Sequence, residues 1–329
     1  MKRKIALAMV LAMTASMAQP VLAADSKTTL DVIISQYGTQ TQTWWTQFEK
    51  DFEAENPDID LNVEIVSWND IYTKVNTLVA NNNAPDILNI DVLADYVADD
   101  LLMPATEYAS EDLQSKFFPA FWEASTIDDT VYALPILASC RALFYNKDIL
   151  DKAGVDPSTL TSPDAIKEAF ETIDSKKDEL GLTAVVGYAA EPVNLYWSTG
   201  NHLFANYLDA GLKSDDTTYI DMLNDGGQLD ETRFTDFAKF VGLLNQYSDP
   251  TLLVSGTYDQ QILNFASGKY AFVTQGSWIG ATMVGDDADA YKEAGNFEVG
   301  MIPYAFEDGI DTILTNSPSW WSIYKDGNV

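Results

Sequence analysis

The sequence predicts an α/β protein of two lobes joined by a hinge. Strand-like apolar runs alternate with amphipathic helical patterns along most of the chain, which is typical of helices packed on a largely parallel sheet. The length of 329 residues and the hydrophobic fraction of 47% favour two domains over one. Residues 131–156 contain two short extended runs and a helix closed by Gly154. We expect the chain to cross between the lobes in this segment, near Ser139.

The first three elements are predicted to be a strand, a helix and a second strand. Residues 29–37 contain a run of apolar side chains that indicates a buried strand. A helix is expected from about Thr41, because aromatic residues recur at spacings of three and four and form one apolar stripe. That stripe places Trp45 in the core, whereas Trp44 could face solvent or a ligand. Residues 60–66 alternate between apolar and polar, as a strand with one buried face does.

A second helix and a short strand follow. The pattern predicts a helix over residues 71–79, with Ser67 or Asn69 as its cap. Residues 87–90 form a short apolar run that predicts a buried strand, and Asp91 lies just beyond its carboxyl end. Open parallel sheets bind their ligands outside that end of the strands.

The rest of the chain continues to alternate between helices and strands. The predicted helices span residues 162–180, 197–208, 233–247 and 258–267. The predicted strands span residues 269–273 and 296–303, and the sequence Q-G-S-W at residues 275–278 opens a further helix.

Residues 1–24 predict a secretory signal peptide. They begin with three cations, continue as an uncharged and mostly apolar run, and end in V-L-A-A. Removal of the three cations changes the formal charge from −31 to −34. So acidic a surface repels nucleic-acid phosphates and anionic membranes, so we expect neither as a partner. We expect an exported, periplasmic protein without a lipid anchor, because the cleavage site contains no cysteine.

Residues for the common catalytic routes are scarce. His202 is the only histidine and Cys140 is the only cysteine, which argues against His-rich zinc sites, nucleophile–histidine pairs and disulfides. Neither a dinucleotide-binding nor a P-loop glycine motif occurs. We therefore expect no cofactor and no metal, and we interpret His202 and Cys140 as structural residues.

Several short motifs occur in an order that matches a known family. They are P-D-I at residues 85–87 with a following Asp, Y-N-K-D at residues 145–148, and F-x-x-G-K-x-A-F at residues 265–272 followed by G-x-W. In these motifs the chain resembles the family 1 extracellular solute-binding proteins, which are the sugar receptors of ABC importers. The resemblance implies a periplasmic-binding-protein-like fold with a ligand cleft between two lobes.

The resemblance also implies domain boundaries and partners. Lobe I would comprise residues 25–138 and 312–329, and lobe II would comprise residues 139–311. The protein would be a monomer that captures a carbohydrate, specifically an oligosaccharide, and delivers it to the permease subunits of an ABC transporter without catalysis. Family members continue beyond the position of Val329, so we expect both lobes to be incomplete and to expose apolar faces.

Four candidate ligand-binding residues follow strands or open helices. Trp278 follows a strand at a helix start and matches the ligand-stacking tryptophan of the family. Asp91 and Tyr37 lie at the carboxyl ends of predicted strands, with helix capping and plain packing as their respective alternatives. Trp68 could line the cleft or could cover the first turn of its own helix.

Four further candidates come from other parts of the chain. Glu191 and Trp197 lie in a segment that resembles the Glu-Pro-aromatic loop of maltose-binding proteins, although the aromatic spacing differs. Trp320 and Trp321 are consecutive on a predicted strand, so at most one of them can reach a common site. Arg141 near the hinge could form a salt bridge between lobes or contact the ligand, and a contact with a carboxylate would mean an acidic sugar.

Two other functions are compatible with the same residues. A secreted glycosidase would use similar aromatic residues around two carboxylates, and the 50 acidic residues provide many candidates. A receptor for a polyamine or a peptide would also keep its carboxylates. Release of product from a glycoside would identify the enzyme, whereas stoichiometric binding without turnover would identify a receptor.

Overall fold

The protein is described by a computed structural model. It describes residues 27–35, 42–68, 70–90, 92–135, 138–191, 195, 197–213, 215–316 and 320–328. Described residues up to Ala105 and from Trp321 onward form the first compact unit, and those from Thr106 to Trp320 form the second. The lobe boundaries at residues 138/139 and 311/312 stay predictions.

The described residues contain strands β1 to β12. In chain order they are Thr28–Ser35, Ile59–Val66, Ile87–Ile90, Thr126–Ile127, Thr130–Val131, Leu134–Pro135, Ser139–Asn146, Ala184–Gly187, Tyr270–Gly276, Val299–Ile302, Leu314–Asn316 and Trp320–Ile323.

The described helices are α1 to α15. In chain order they are Gln42–Glu55, Ile71–Ala80, Leu93–Ala98, Glu111–Gln114, Pro119–Glu123, Lys147–Ala153, Pro163–Ser175, Lys177–Leu180, Phe204–Asp209, Thr218–Asn224, Glu231–Tyr247, Pro250–Val254, Tyr258–Ala266, Ile279–Val284 and Ala288–Glu293. A 3₁₀ turn at Pro157–Thr159 and a π-helix at Ser198–Leu203 complete the set.

The first unit is built on a sheet with strand order β2-β1-β3-β12. Strand β1 pairs in parallel with β2 along its whole length and with β3 near its centre. The alternating residues of β1 and β2 that face α1, such as Ile34 and Val63, form a core with Trp45. Trp45 is buried, which confirms its predicted place in the core. Trp321 packs on Trp45 with a ring-centroid distance of 6.1 Å.

The second unit is built on a sheet with strand order β10-β7-β9-β8. Strand β7 runs antiparallel to β9, while β8 runs parallel to β9. Strand β10 pairs with the carboxyl-terminal part of β7, and β11 pairs with its first residues, both antiparallel. The register of β7 and β9 matters for the site, because it places Arg141 opposite Gly276.

Both faces of this second sheet are covered by helices. Leu143 and Phe272 belong to one core cluster, which also contains residues of α7 and α11 such as Phe170. Phe144 and Val273 point to the opposite face and belong to a second cluster, together with residues of α13 and α14. Burial on both faces explains why β9 is fully buried along its length.

Two of the predicted helices are interrupted. The helix predicted over residues 162–180 divides into α7 and α8 at Lys176, whose side chain reaches back to donate a hydrogen bond to the Ala153 carbonyl at 2.6 Å. The helix predicted over residues 197–208 begins as the π-helix Ser198–Leu203 and continues as α9. Wide helical turns of this kind occur frequently at functional sites.

Candidate functional site

Trp278 lies where β9 ends and α14 begins. The preceding residue, Ser277, makes two hydrogen bonds with Cys140 at the start of β7: its N–H donates to the Cys140 carbonyl at 2.9 Å, and its hydroxyl accepts from the Cys140 N–H at 3.2 Å. These two bonds therefore hold the turn that carries Trp278 against the first residues of β7. Trp278 itself is half-buried.

The indole of Trp278 lies directly over Gly276. A Cβ atom at position 276 would collide with three carbons of the six-membered ring of the indole. Glycine is therefore required for the close approach of ring and backbone. The ring edge is fixed as well, since the indole N–H donates to the side-chain oxygen of Gln275 at 3.2 Å.

A chain of amides connects this ring to the core of the second unit. The Gln275 amide nitrogen donates to the side-chain oxygen of Gln261 at 2.9 Å. The Gln261 amide nitrogen donates in turn to the Gly187 carbonyl at 2.6 Å and to the Thr274 carbonyl at 3.3 Å. Both glutamines are buried, so each amide position is determined by its partners.

Two aromatic rings lie beside Trp278, and a third packs on one of them. The rings of Trp197 and His202 lie 6.5 and 5.1 Å from it, centroid to centroid. Trp197 and His202 are 5.0 Å apart, because the π-helix brings residues five positions apart to the same side of one turn. Tyr258, at the start of α13, lies 6.3 Å from Trp197, and its hydroxyl is 3.0 Å from that of Thr282. We call Trp197, His202, Tyr258 and Trp278 the aromatic cluster.

Neither titratable ring of the aromatic cluster is charged at neutral pH. Burial, together with the nearby positive charge of Arg141, lowers the pKa of His202 to about 3. Burial raises the pKa of Tyr258 to about 12. His202 Nδ1 is buried and has no hydrogen-bond partner among the described residues. The aromatic cluster therefore presents apolar ring faces with neutral polar edges.

Arg141 lies on β7, directly opposite Gly276 in the ladder with β9. Its side chain is half-buried, and burial lowers its pKa. Among the described residues no carboxylate forms a salt bridge with it, and its buried Nε atom has no hydrogen-bond partner. The two alternatives for Arg141, a salt bridge between lobes and a ligand contact, stay predictions.

Glu191 is buried, and its backbone carbonyl accepts a hydrogen bond from Leu195 at 3.2 Å. A ligand contact by Glu191 stays a prediction.

Trp68 and Trp320 have less defined surroundings. Trp68 belongs to the first unit, where its ring is 43% exposed and packs edge-on against Tyr72 at 6.1 Å. Its two alternatives, ligand contact and cover of its own helix, both stay open. Trp320 and Trp321 are both half-buried, and Trp321 packs on the core through Trp45. Trp320 is therefore the one of the pair that stays a candidate for the ligand.

Asp91 and Tyr37 lie outside the described residues, so their proposed contacts stay predictions. The described residues contain no group of three or more His, Cys, Asp or Glu side chains that could hold a metal ion. None of the helices in the described ranges is both long enough and apolar enough to span a membrane.

The sequence predicts Trp278, Trp197 and Arg141 as site residues, and all three lie in the same region of the second unit. Its pattern indicates only a structural role for His202 and none for Tyr258, although both rings belong to the aromatic cluster. A straight α-helix over residues 197–208 would have turned His202 away from Trp197, so helical periodicity could not reveal this pair. Gln275 was visible in the Q-G-S-W sequence, but its contact with Trp278 depends on the turn geometry.

Comparisons with known protein sequences place the chain among binding proteins. A family model described as bacterial extracellular solute-binding protein matches residues 37–327. A putative binding protein of Brucella abortus is 36% identical over 124 residues, which are 37% of this chain and 30% of that protein. The xylose/arabinose-binding protein XacG of Haloferax volcanii is 25% identical over 310 residues, which are 88% of this chain and 63% of that protein. The chain thus spans less than two thirds of the length of either relative.

Solved structures share the fold. The GacH receptor of Streptomyces glaucescens, solved unliganded and with acarbose, matches with a TM-score of 0.68 at 21% identity, covering 92% of this chain and 72% of that chain. RafE in complex with raffinose matches with a TM-score of 0.68 at 18% identity, covering 91% of this chain and 74% of that chain. At such identities the likeness shows the fold alone. It confirms the predicted α/β fold class with two lobes.

Proposed function

The chain belongs to the family of bacterial extracellular solute-binding proteins, and on this basis we propose that it captures a carbohydrate and delivers it to an ABC importer. The resemblance predicted from its motifs is thereby confirmed at the level of the family. An oligosaccharide is the proposed ligand, and the permease subunits of the importer are the proposed membrane partners. The protein acts as an exported, periplasmic monomer in this proposal.

The aromatic cluster carries the proposal. A pyranose has apolar C–H faces and a rim of hydroxyls, so its receptor requires flat aromatic faces beside polar edges. Trp278 supplies a half-buried indole whose position is fixed by Gly276 and Gln275. Trp197 supplies a second indole at an interplanar angle of 60°. A hydroxyl that is buried without a partner costs about 1 to 3 kcal/mol, which lets the polar edges select among epimers.

A relative identified by sequence supports a sugar as the ligand. XacG, which is 25% identical to this chain, carries the name of a xylose/arabinose-binding protein. At this identity it supports the class of ligand and not a particular sugar. We propose further that no bond is made or broken, because the matching family model describes binding proteins.

Calorimetric titration against a panel of mono- and oligosaccharides tests the proposal. We expect saturable one-to-one binding, with the sugar recovered unchanged. Trp278→Ala should weaken binding by at least about tenfold, because it removes the central stacking surface. Phe118→Ala is the matched control, since that ring is 58% exposed and lies outside the aromatic cluster. The sugar affinity of Phe118→Ala should equal that of the unchanged protein.

Other outcomes would replace the proposal. Cleavage of a glycoside in the panel would identify a glycosidase. Binding of polyamines or peptides, with no sugar bound, would identify a receptor for another class of solute. Equal affinities of the Trp278→Ala and unchanged proteins would remove the aromatic cluster as the site.

A further inference from the structure

The two described arginines are satisfied in very different ways. Arg233 on α11 is buried and pairs with Glu307. Its guanidinium also donates to the carbonyls of Tyr207 and Ala210, each at 2.7 Å. This is the usual state of a buried arginine, in which a carboxylate and hydrogen-bond acceptors compensate for the lost hydration.

Arg141 lacks such compensation. Among the described residues no carboxylate lies within 4.0 Å of its guanidinium, and its buried Nε atom makes no hydrogen bond. The titratable groups that act on its charge are Tyr304 and Cys140. Tyr304 is buried and donates its hydroxyl proton to the Ala142 carbonyl at 2.7 Å, and burial raises its pKa, so it carries no neutralising charge. The chain contains 50 acidic residues, yet none among the described residues forms a salt bridge with Arg141.

The charge of Arg141 lies close to the aromatic cluster. Its backbone lies opposite Gly276, over which the Trp278 indole is placed. Its charge also acts on His202, whose ring lies 5.1 Å from that of Trp278. His202 is neutral at physiological pH, because burial and the charge of Arg141 lower its pKa, so it cannot neutralise Arg141.

We propose that the carbohydrate bound at the aromatic cluster carries a carboxylate, as a uronic acid does, and that Arg141 binds this carboxylate. The inference rests on the proposed function. A ligand that covers Arg141 removes more water from its charge, which is costly unless an anion replaces that water. Arginine matches a carboxylate with two parallel hydrogen bonds, whereas a neutral hydroxyl offers one weaker acceptor.

The acidic surface of the protein does not prevent this. A formal charge of −31 repels anions at long range. Screening confines that repulsion to about 8 Å at physiological ionic strength, whereas the pairing with a half-buried arginine is screened far less. The overall charge therefore slows the approach of an acidic sugar more than it weakens the bound state.

Matched ligands provide the test. Calorimetry would compare disaccharides of glucuronic or galacturonic acid, the methyl esters of the same disaccharides, and the neutral disaccharides of glucose and galactose. We expect the free acids to bind roughly 10- to 150-fold more tightly than their esters, which is the range for a charged hydrogen-bonded pair.

Variants of Arg141 identify the responsible residue. Arg141→Gln should abolish the preference for acid over ester, and Arg141→Lys should restore part of it, because lysine keeps the charge but not the bidentate geometry. The comparison of acid and ester on the unchanged protein does not depend on whether a variant folds.

The outcomes separate this inference from the proposed function. Neutral sugars and esters that bind as tightly as the acids would overturn the inference and leave the sugar receptor intact. A preference for acids that survives Arg141→Gln would overturn the role of Arg141. If no carbohydrate of either class binds, the proposed function and the inference both fail.

Discussion

Replacement of Gly276 by alanine tests the geometry on which the site depends. The new Cβ atom would overlap three carbons of the Trp278 indole, so the ring must leave its place or the backbone must shift. Overpacking of this kind costs about 1 to 3 kcal/mol. Loss of the indole hydrogen bond to Gln275 contributes about 0.5 to 1.5 kcal/mol of that cost.

Thermal unfolding followed by circular dichroism measures the effect. For a domain of about 150 to 250 residues, 1 kcal/mol shifts the melting temperature by roughly 2 to 4 °C, so Gly276→Ala should lower it by roughly 2 to 12 °C. Sugar affinity should fall together with stability, because the ring no longer occupies its place. Gly280→Ala is the matched control: a Cβ atom at that position of α14 meets no atom within 4 Å.

The control should be neutral or stabilising, since alanine in a helix is favoured over glycine by about 0.5 to 1 kcal/mol. A double-mutant cycle completes the test. In the Trp278→Ala background the overlap is gone, so Gly276→Ala should cost much less than it does alone. Equal costs in the two backgrounds would show that the indole does not lie over Gly276.

Two further changes probe charges in the second unit. Arg233→Ala should lower the free energy of unfolding by about 3 to 5 kcal/mol, because it leaves Glu307 and buried carbonyls without their partner. Lys239→Ala removes an exposed ion pair with Asp236 and should lower the free energy of unfolding by no more than about 1 kcal/mol. Similar losses for both would contradict the structural role of Arg233. The pKa of His202 is lowered to about 3 from 6.5, so the folded state binds this proton less readily than the unfolded chain. Its contribution to stability is present above pH 6.5 and should fall by about 1 to 2 kcal/mol between pH 6.5 and 5. Urea unfolding of His202→Phe should show a correspondingly weaker pH dependence, and unchanged pH profiles would refute the assignment.

Local patterns predicted most of the elements. Apolar alternation located β2, the stripe of α1 placed Trp45 in the core, and the Asn146 and Gly154 boundaries of α6 follow from a side-chain cap and a left-handed glycine. These features succeed because each is determined by interactions within a few residues. The break between α7 and α8 was missed, because it accompanies a contact of Lys176 with a carbonyl 23 residues away.

The site was less predictable than the fold. Trp278 was identified from the turn after a strand, but its support comes from Gln261 and Gly187, which are remote in sequence. His202 was assigned to the core because a lone histidine in a helical pattern usually is structural. Its position beside Trp278 depends on the π-helix, which single-sequence periodicity cannot distinguish from an α-helix.

The amide chain holds the Trp278 indole in one position before any ligand binds. A free indole on a loop would lose side-chain entropy when a sugar stacks on it, at about 0.5 to 1.5 kcal/mol for each immobilised side chain. Trp278 has largely lost this freedom before any ligand arrives, because Gly276 lies beneath its ring and Gln275 holds its edge. Gln275 is held in turn by Gln261, which is anchored on buried carbonyls. Substitution of a buried glutamine should therefore weaken the proposed sugar binding without any contact to the sugar. Substitution of Arg141, which forms no salt bridge with a carboxylate among the described residues, should affect only ligands that carry a charge.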